Sequence, residues 1–421
     1  MPVFLAHSLL PLIVALSILL MLLRPWGVSE VWWVSGGAVL LVGLGLVPLG
    51  LAGRAVAEGS DVYLFLVGMM LLAELAREQG VFDWVASVVV RGAGGSCSRL
   101  FFLVYAVGTV VTVFLSNDAT AVVLTPAILV VVRKARISPL PYLFVCALVA
   151  NAASFVLPIS NPANLVVFHA GMPPLGAWLR AFGVPSVLAV AATYWVMWVF
   201  FRGELCTRIE GEPEPVSLSR TGRLVLWGLG LVVCTLLVAS AMRMNLGLPT
   251  CLAALVVVGV VSLLAKRSPV GLFRGVSWGT ILLVAGLFVM VDAVESQGAL
   301  RLTEGWLAAA QRLAPAAGVM VVGFAVGVAN NVVNNLPLGL IAGATLHAAH
   351  VRGMMADVVM VGVDLGPNLS VTGSLATILW LLALRKEGVE VGFWRFFKLG
   401  VVAMPVALAV ALGGVWVMGR V

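Results

Sequence analysis

The side chains that could do chemistry fall in four short clusters, each set inside apolar sequence. They are Ser116-Asn117-Asp118-Ala119-Thr120, Leu157-Pro158-Ile159-Ser160-Asn161-Pro162-Ala163-Asn164, Asn330-Asn331-Val332-Val333-Asn334-Asn335-Leu336-Pro337, and the run from Asp364-Leu365-Gly366-Pro367 to Gly373-Ser374. Together they offer amides, hydroxyls and two carboxylates, Asp118 and Asp364, and no Lys or Arg. An ionisable group inside a bilayer costs about 2.5–3.5 kcal/mol on insertion scales and reads by default as functional. A dicarboxylate or phosphate substrate would call for a cationic partner or Na+; amides and hydroxyls suit a neutral polyhydroxy solute. A buried carboxyl is costly to keep charged, which makes Asp118 and Asp364 the candidate proton carriers. The expected site lining is Asn117, Ser160, Asn161, Asn164, Asn335, Ser374 and Thr377, with Ser116, Asn151 and Asn334 in secondary positions. The same residue types also cap helix ends, so each tip residue carries both readings.

The surrounding sequence says what must position these groups. The chain is 62% hydrophobic and 10% charged, whereas soluble domains run near 25% charged. It is therefore an all-α polytopic membrane protein. Ser116–Asp118 lies between apolar runs at 100–115 and 121–132, and a spanning helix needs about 20 residues. The expected geometry is a re-entrant hairpin over 100–132, since irregular backbone at membrane depth persists only inside protein or beside a wet cavity. The second cluster interrupts a span at 141–170 with two prolines, each of which removes a backbone donor and disfavours helix before it. The same order recurs later, with a hairpin at 316–348 and a broken helix at 354–384. Asn117-Asp118 then corresponds to Asn335-Leu336, Asn151 to Asp364, Ser160-Asn161 to Gly373-Ser374, and Asn164 to Thr377.

The remaining apolar spans lie at about 3–23, 31–51, 61–76, 182–201, 224–241, 248–264, 277–293 and 399–419, with interfacial pieces at 81–90 and 298–313. The expected architecture is two inverted repeats of five spans and one re-entrant hairpin each, ten spans and two hairpins in all. The repeats occupy 1–201 and 223–421. A cytoplasmic linker, 202–222, carries Glu204, Glu210, Glu212, Glu214, Pro213 and Pro215. Charge supports the layout. With 133–136 in the cytoplasm, only Arg54, Arg180, Arg243, Arg301, Arg312, Arg352 and Arg420 of the 25 Lys and Arg fall on the other side, in the direction of the positive-inside rule. Counting either hairpin as a full span would place 133–136 or 385–398 outside.

Several classes are excluded or disfavoured. The net charge of +7 sets orientation and implies no nucleic-acid partner. Val3–Leu23 lacks a basic leader and a clear cleavage site, so it reads as a retained span. Five Cys and four His form no metal-ligand spacing; no resident metal or cofactor is expected. His347 and His350 read as solvated, Cys146 as a small apolar helix residue, and Trp26, Trp32, Trp33 and Trp394 as interfacial belt residues. Glu74, Glu78, Asp61, Asp292 and Glu295 sit near span ends. No Walker-type loop is present, so the chain is a secondary transporter and neither an ATPase nor another enzyme.

At Ser116-Asn117-Asp118-Ala119 through Leu124-Thr125-Pro126, at Ser160-Asn161 with Asn164, and above all at Asp364-Leu365-Gly366-Pro367 followed by Gly373-Ser374-Leu375-Ala376-Thr377, the sequence resembles the arsenite/antimonite efflux permeases (ArsB type) of the ion-transporter superfamily. The resemblance covers the whole chain in span order. It implies a multi-pass protein of the inner (cytoplasmic) membrane that exports trivalent arsenite and antimonite, as neutral trihydroxides, in exchange for protons. It also implies alternating access around a midplane site, and in some relatives a soluble arsenical-pump ATPase as partner; a homodimeric scaffold is the fold-level expectation. Some members place a Cys before the second-half Asp and a Lys after the Gly-Pro; here those positions are Val363 and Asn368, which removes any support for thiol ligation there. The alternative within the superfamily is a Na+-coupled carboxylate carrier or a Na+/H+ antiporter.

Overall fold

The structure, a computed structural model, describes residues 3–206, 209, 216–298 and 300–420, and among them every regular element is helical. A first series runs α1 (Val3–Leu23), α2 (Glu30–Gly43), α3 (Leu49–Glu58), α4 (Ser60–Glu78), α5 (Val81–Gly92), α6 (Cys97–Phe114), α7 (Asn117–Ala119), α8 (Thr125–Lys134), α9 (Leu140–Ala152), α10 (Pro162–Val167) and α11 (Leu175–Phe201). A second runs α12 (Arg220–Ala241), α13 (Gly247–Ala265), α14 (Val270–Gly275), α15 (Trp278–Ser296), α16 (Arg301–Gln311), α17 (Pro315–Val333), α18 (Asn335–Ala348), α19 (Met354–Leu365), α20 (Leu375–Lys386) and α21 (Phe393–Met418). The two series share one order. Short 3-10 turns at Pro158–Ser160 and Val371–Gly373 occupy the same place in their respective breaks. Packing is reciprocal as well: α4 lies against α13 and α15 against α2, while α11 and α21 run along one another.

Burial follows composition. In α9 only Leu140 escapes burial, as expected of a helix that is apolar all round. On α12 and α13 the large apolar side chains Trp227 and Leu263 are 80% and 79% exposed. A soluble protein avoids such surfaces; a multi-pass membrane protein, in a solvent of lipid tails, does not.

Among the described residues, seven helices are by length and apolarity fit to cross a membrane, or eight if α3 and α4, bent by 46°, act as one span; Leu9–Leu23, α2 and α9 are shorter apolar helices. Two boundaries differ from the sequence expectation. The span placed at 31–51 ends at Gly43, because Gly45 takes a left-handed φ of 68° and Pro48 starts a new helix. The helices expected as the first arms of the two hairpins are also longer than the apolar runs suggested. α6 has 18 residues and begins at Cys97, capped by Ser96, and α17 has 19, so length alone would class both as spans.

Beyond each of them the chain doubles back. Thr120, past the first tip, reaches back to Thr112 at 2.8 Å and donates to the Gly108 carbonyl. α5 packs on both α6 and α8, and α16 on both α17 and α18. Of the linker, Arg208, Glu210, Glu212, Glu214, Pro213 and Pro215 lie outside the described residues. Its Ile209 and Val216 amides donate to Gly95 O and Ser87 Oγ.

Candidate transport site

Each expected hairpin tip carries a residue with positive φ, Ser116 at 144° and Asn334 at 78°. Both are helix caps. Ser116 Oγ accepts from Ala119 N at 3.3 Å, and Asn334 Oδ1 accepts from Leu336 N at 3.5 Å. A π-helical turn, Thr120–Leu124, follows the first tip, a departure from the 3.6-residue repeat that often accompanies functional positions. The result is that Asn117 and Asp118, and on the other side Asn335, stand at the first turn of a helix directed away from the tip.

The broken helices are held open by side chains bonded to backbone. Asn164 Nδ2 donates to the carbonyls of Ser154, Leu157 and Pro158 at 2.9, 3.2 and 3.3 Å. Its counterpart Thr377 donates through Oγ1 to Val371 and Ser374. Ser160 Oγ accepts from Leu157 N and donates to Val113 O on α6, fastening the first break to the first hairpin. The second break is fastened by Asn330, which donates to Gly362 O and Val363 O, and by Asn331, which bonds Gly366 O and Ser370 Oγ. This closeness requires glycine at 366: an added Cβ would collide with Asn330 Nδ2 and the Gly327 carbonyl.

Among the hydrogen bonds that join the series, two engage the caps of the half-helices. Asn161 caps α10 through Oδ1, which accepts from Ala163 N at 3.0 Å, while its Nδ2 donates to Asp364 Oδ1 at 2.8 Å. Ser374 caps α20 by accepting from Thr377 N at 3.1 Å, and its Oγ donates to Asn151 Oδ1 at 3.3 Å. Asn151 also donates to Asn368 Oδ1 at 3.0 Å. Asp364 is fully buried, and its Oδ2 has no partner.

A cavity of about 10 Å³ is lined by Asn117, Asp118, Asn161 and Asn335, with Pro162, Thr280, Leu66, Leu336, Leu375 and Ala376. That is room for about one water. The Asp118 carboxylate makes no hydrogen bond among the described residues, and Asn335 Oδ1 is buried without a partner. No Lys, Arg or His contributes to this lining. Of the residues expected to line the site, the structure brings together Asn117, Asn161 and Asn335, and with them Asp118, expected as a proton carrier. Ser160, Asn164, Ser374 and Thr377 lie in the surrounding framework, Ser116 and Asn334 at the tips, and Asn151 and Asp364 behind the two caps.

Thr280 on α15 and Leu66 on α4 were not legible as site residues, because a single Thr or Leu in an apolar span gives no signal. On the far side of Leu336 and Leu375 a second cavity of about 10 Å³ is lined by Asn334, Ile378 and the ion pair Arg24–Glu30, 2.6 Å apart. Among the described residues no cluster of His, Cys, Asp or Glu is placed to hold a metal. His347 and His350 are exposed and Cys146 is buried.

The chain is similar to known transporters. It is 24% identical over 418 residues to the arsenical pump membrane protein of Yersinia enterocolitica, covering 95% of this chain and 96% of that protein. It is 25% identical over 427 residues to the arsenical pump membrane protein of Escherichia coli K12, with the same coverage. The crystal structure of the YdaH transporter of Alcanivorax borkumensis, described as having an unusual topology, matches with a TM-score of 0.59 at 16% identity, over 88% of this chain and 86% of that one. It shares the fold. The family model described as "Citrate transporter" matches residues 4–366. The chain therefore belongs to the citrate transporter family, CitMHS, of the ion-transporter superfamily, and is a secondary transporter.

Proposed function

We propose that this protein exports trivalent arsenite and antimonite, as neutral trihydroxides, from the cytoplasm in exchange for protons. The observation that carries the reading is the central cavity: four polar side chains converge there from both hairpin tips and one break, and none is a cation. Arsenite as As(OH)3 offers three donors and three acceptors, which amides and a carboxylate match without charge compensation. The name of the family suggests citrate, and this is the alternative reading. A citrate anion would meet the Asp118 carboxylate with no Lys, Arg or His in the lining to offset it. The similarity to arsenical pump membrane proteins over almost the whole chain favours arsenite.

The shared order of the two helix series and their reciprocal packing support inverted repeats with re-entrant hairpins in the inner membrane. A cavity sized for one water cannot hold a trihydroxide, so the tips and half-helices must part to admit it, which is the motion alternating access needs. Asp118, facing the cavity, and Asp364, behind Asn161, are the groups to carry protons. One proton exchanged for a neutral solute moves one charge, about 2.3 kcal/mol per 100 mV. At about 1.4 kcal/mol per tenfold, that sustains a gradient of roughly 40-fold without ATP. Association with a soluble ATPase and dimerisation through the outer helices are compatible with this scheme.

The test is uptake into everted membrane vesicles. Arsenite and antimonite are expected to accumulate and citrate not to compete. Accumulation of citrate, or uptake driven by Na+ in place of protons, would favour the alternative.

A further inference from the structure

Of the hydrogen bonds between the helix series, the two that engage half-helix caps lie at corresponding positions. In one, the residue near the end of α19, Asp364, holds the N-cap of α10, Asn161; in the other, the residue near the end of α9, Asn151, holds the N-cap of α20, Ser374. The chemistry differs: Asn161 donates through an amide to a carboxylate, and Ser374 through a hydroxyl to an amide oxygen. Asn151 never ionises. Asp364 does, and its Oδ2 is buried with no partner, a vacant position for a proton. A hydrogen bond to a carboxylate is roughly twice as strong as one between neutral groups.

We propose that Asp364–Asn161 is a proton-released latch on the half-helix α10, and that Asn151–Ser374 is its permanent, pH-insensitive copy on α20. Asp364 is thus a positioning residue: it acts on the cavity through Asn161, which lines it. With Asp364 ionised, Asn161 Nδ2 is held toward the second series and α10 is tethered. A proton arriving on Oδ2 weakens that hold, and α10 with its cavity-facing cap is freed. The ion exchanged and the half-helix moved are coupled by one hydrogen bond. This inference rests on proton exchange as proposed above.

The environment leaves little else to titrate. From α9, α10, α11, α17, α18 and α21, the elements packed on α19, and the break between α9 and α10, the polar groups facing Asp364 are Asn161, which donates to Oδ1, and Ser154, whose hydroxyl donates to the Asn151 carbonyl; both are neutral, and no charged side chain interacts with Asp364. The other acid of the network is Asp118, which faces Asn161 across the cavity.

The experiment is hydrogen–deuterium exchange on the purified full chain in nanodiscs, without arsenite, over a pH series and corrected for the intrinsic pH dependence of amide exchange. In the wild type, protection of 162–168 is expected to fall on the order of tenfold as pH drops, the ratio of a charged to a neutral hydrogen bond, with 375–381 unchanged. In Asp364→Asn the dependence at 162–168 is lost. In Asn151→Asp a new pH dependence appears at 375–381. A flat wild-type profile at 162–168, a dependence that survives Asp364→Asn, or an unresponsive α20 in Asn151→Asp would each overturn the latch. Because no arsenite is present, failure here is distinct from failure of the transport reading.

Discussion

Replacing Asn164 by Ala removes the one donor group that gathers three carbonyls of the first break. The Nδ2 amide has two hydrogens, so two good bonds are shared among Ser154, Leu157 and Pro158. Each bond contributes about 1 kcal/mol net, and a buried carbonyl left unpaired costs about 1–3 kcal/mol. The expected loss is about 3 kcal/mol, at a fully buried position. Thr377→Val deletes a single hydroxyl hydrogen shared between Val371 O and Ser374 O and should cost about 1 kcal/mol. Asn164→Asp is expected to be worst, since it aims a carboxylate at three carbonyls. Thermal unfolding in detergent, followed by a thiol dye reporting exposure of the buried Cys97, Cys146 and Cys251 above the constant signal of exposed Cys234, ranks the three; a chain of this size loses about 1 °C per kcal/mol. Whatever protein remains folded should keep its arsenite KM, because Asn164 lies outside the cavity lining. An unchanged midpoint in Asn164→Ala together with a raised KM would refute the assignment of Asn164 to the framework.

Further outcomes follow from the same contacts. Gly366→Ala forces the Asn330 amide and the Gly327 carbonyl apart, and such overpacking costs typically about 1–3 kcal/mol; the midpoint should drop while Gly36→Ala, where a Cβ meets nothing, leaves it unmoved. Arg24 and Glu30 are 21% and 14% exposed at the side chain, so Arg24→Gln alone strands an acid and is expected to destabilise more than Arg24→Gln with Glu30→Gln. A double variant worse than either single one by the same unfolding assay would contradict that coupling.

The sequence made the interruptions legible and their partners illegible. Pro158, Pro162, Gly366 and Pro367 announce where helices must stop, and the amides at both tips announce turns, because both signals are local. Whether an Asn then faces a cavity or its own backbone is decided by packing. Asn161 and Asn164 stand three residues apart in one motif, yet one lines the cavity and the other ties carbonyls. Pairings such as Asn161 with Asp364 join residues 203 apart, and no periodicity encodes them. The split of α2 from α3 turned on the left-handed Gly45, easily passed over in an apolar run. The contrast between Asp118 and its counterpart Leu336 was visible in the sequence; that Asp118 is the acid facing the cavity, with Asp364 set behind Asn161, was not.

The most direct test of the account is arsenite accumulation in everted vesicles under an imposed pH gradient, acid inside, comparing the wild type with Asp118→Asn. The account predicts gradient-driven accumulation in the wild type and its loss in Asp118→Asn. Accumulation that persists undiminished in Asp118→Asn, or wild-type flux indifferent to the pH gradient, would contradict it.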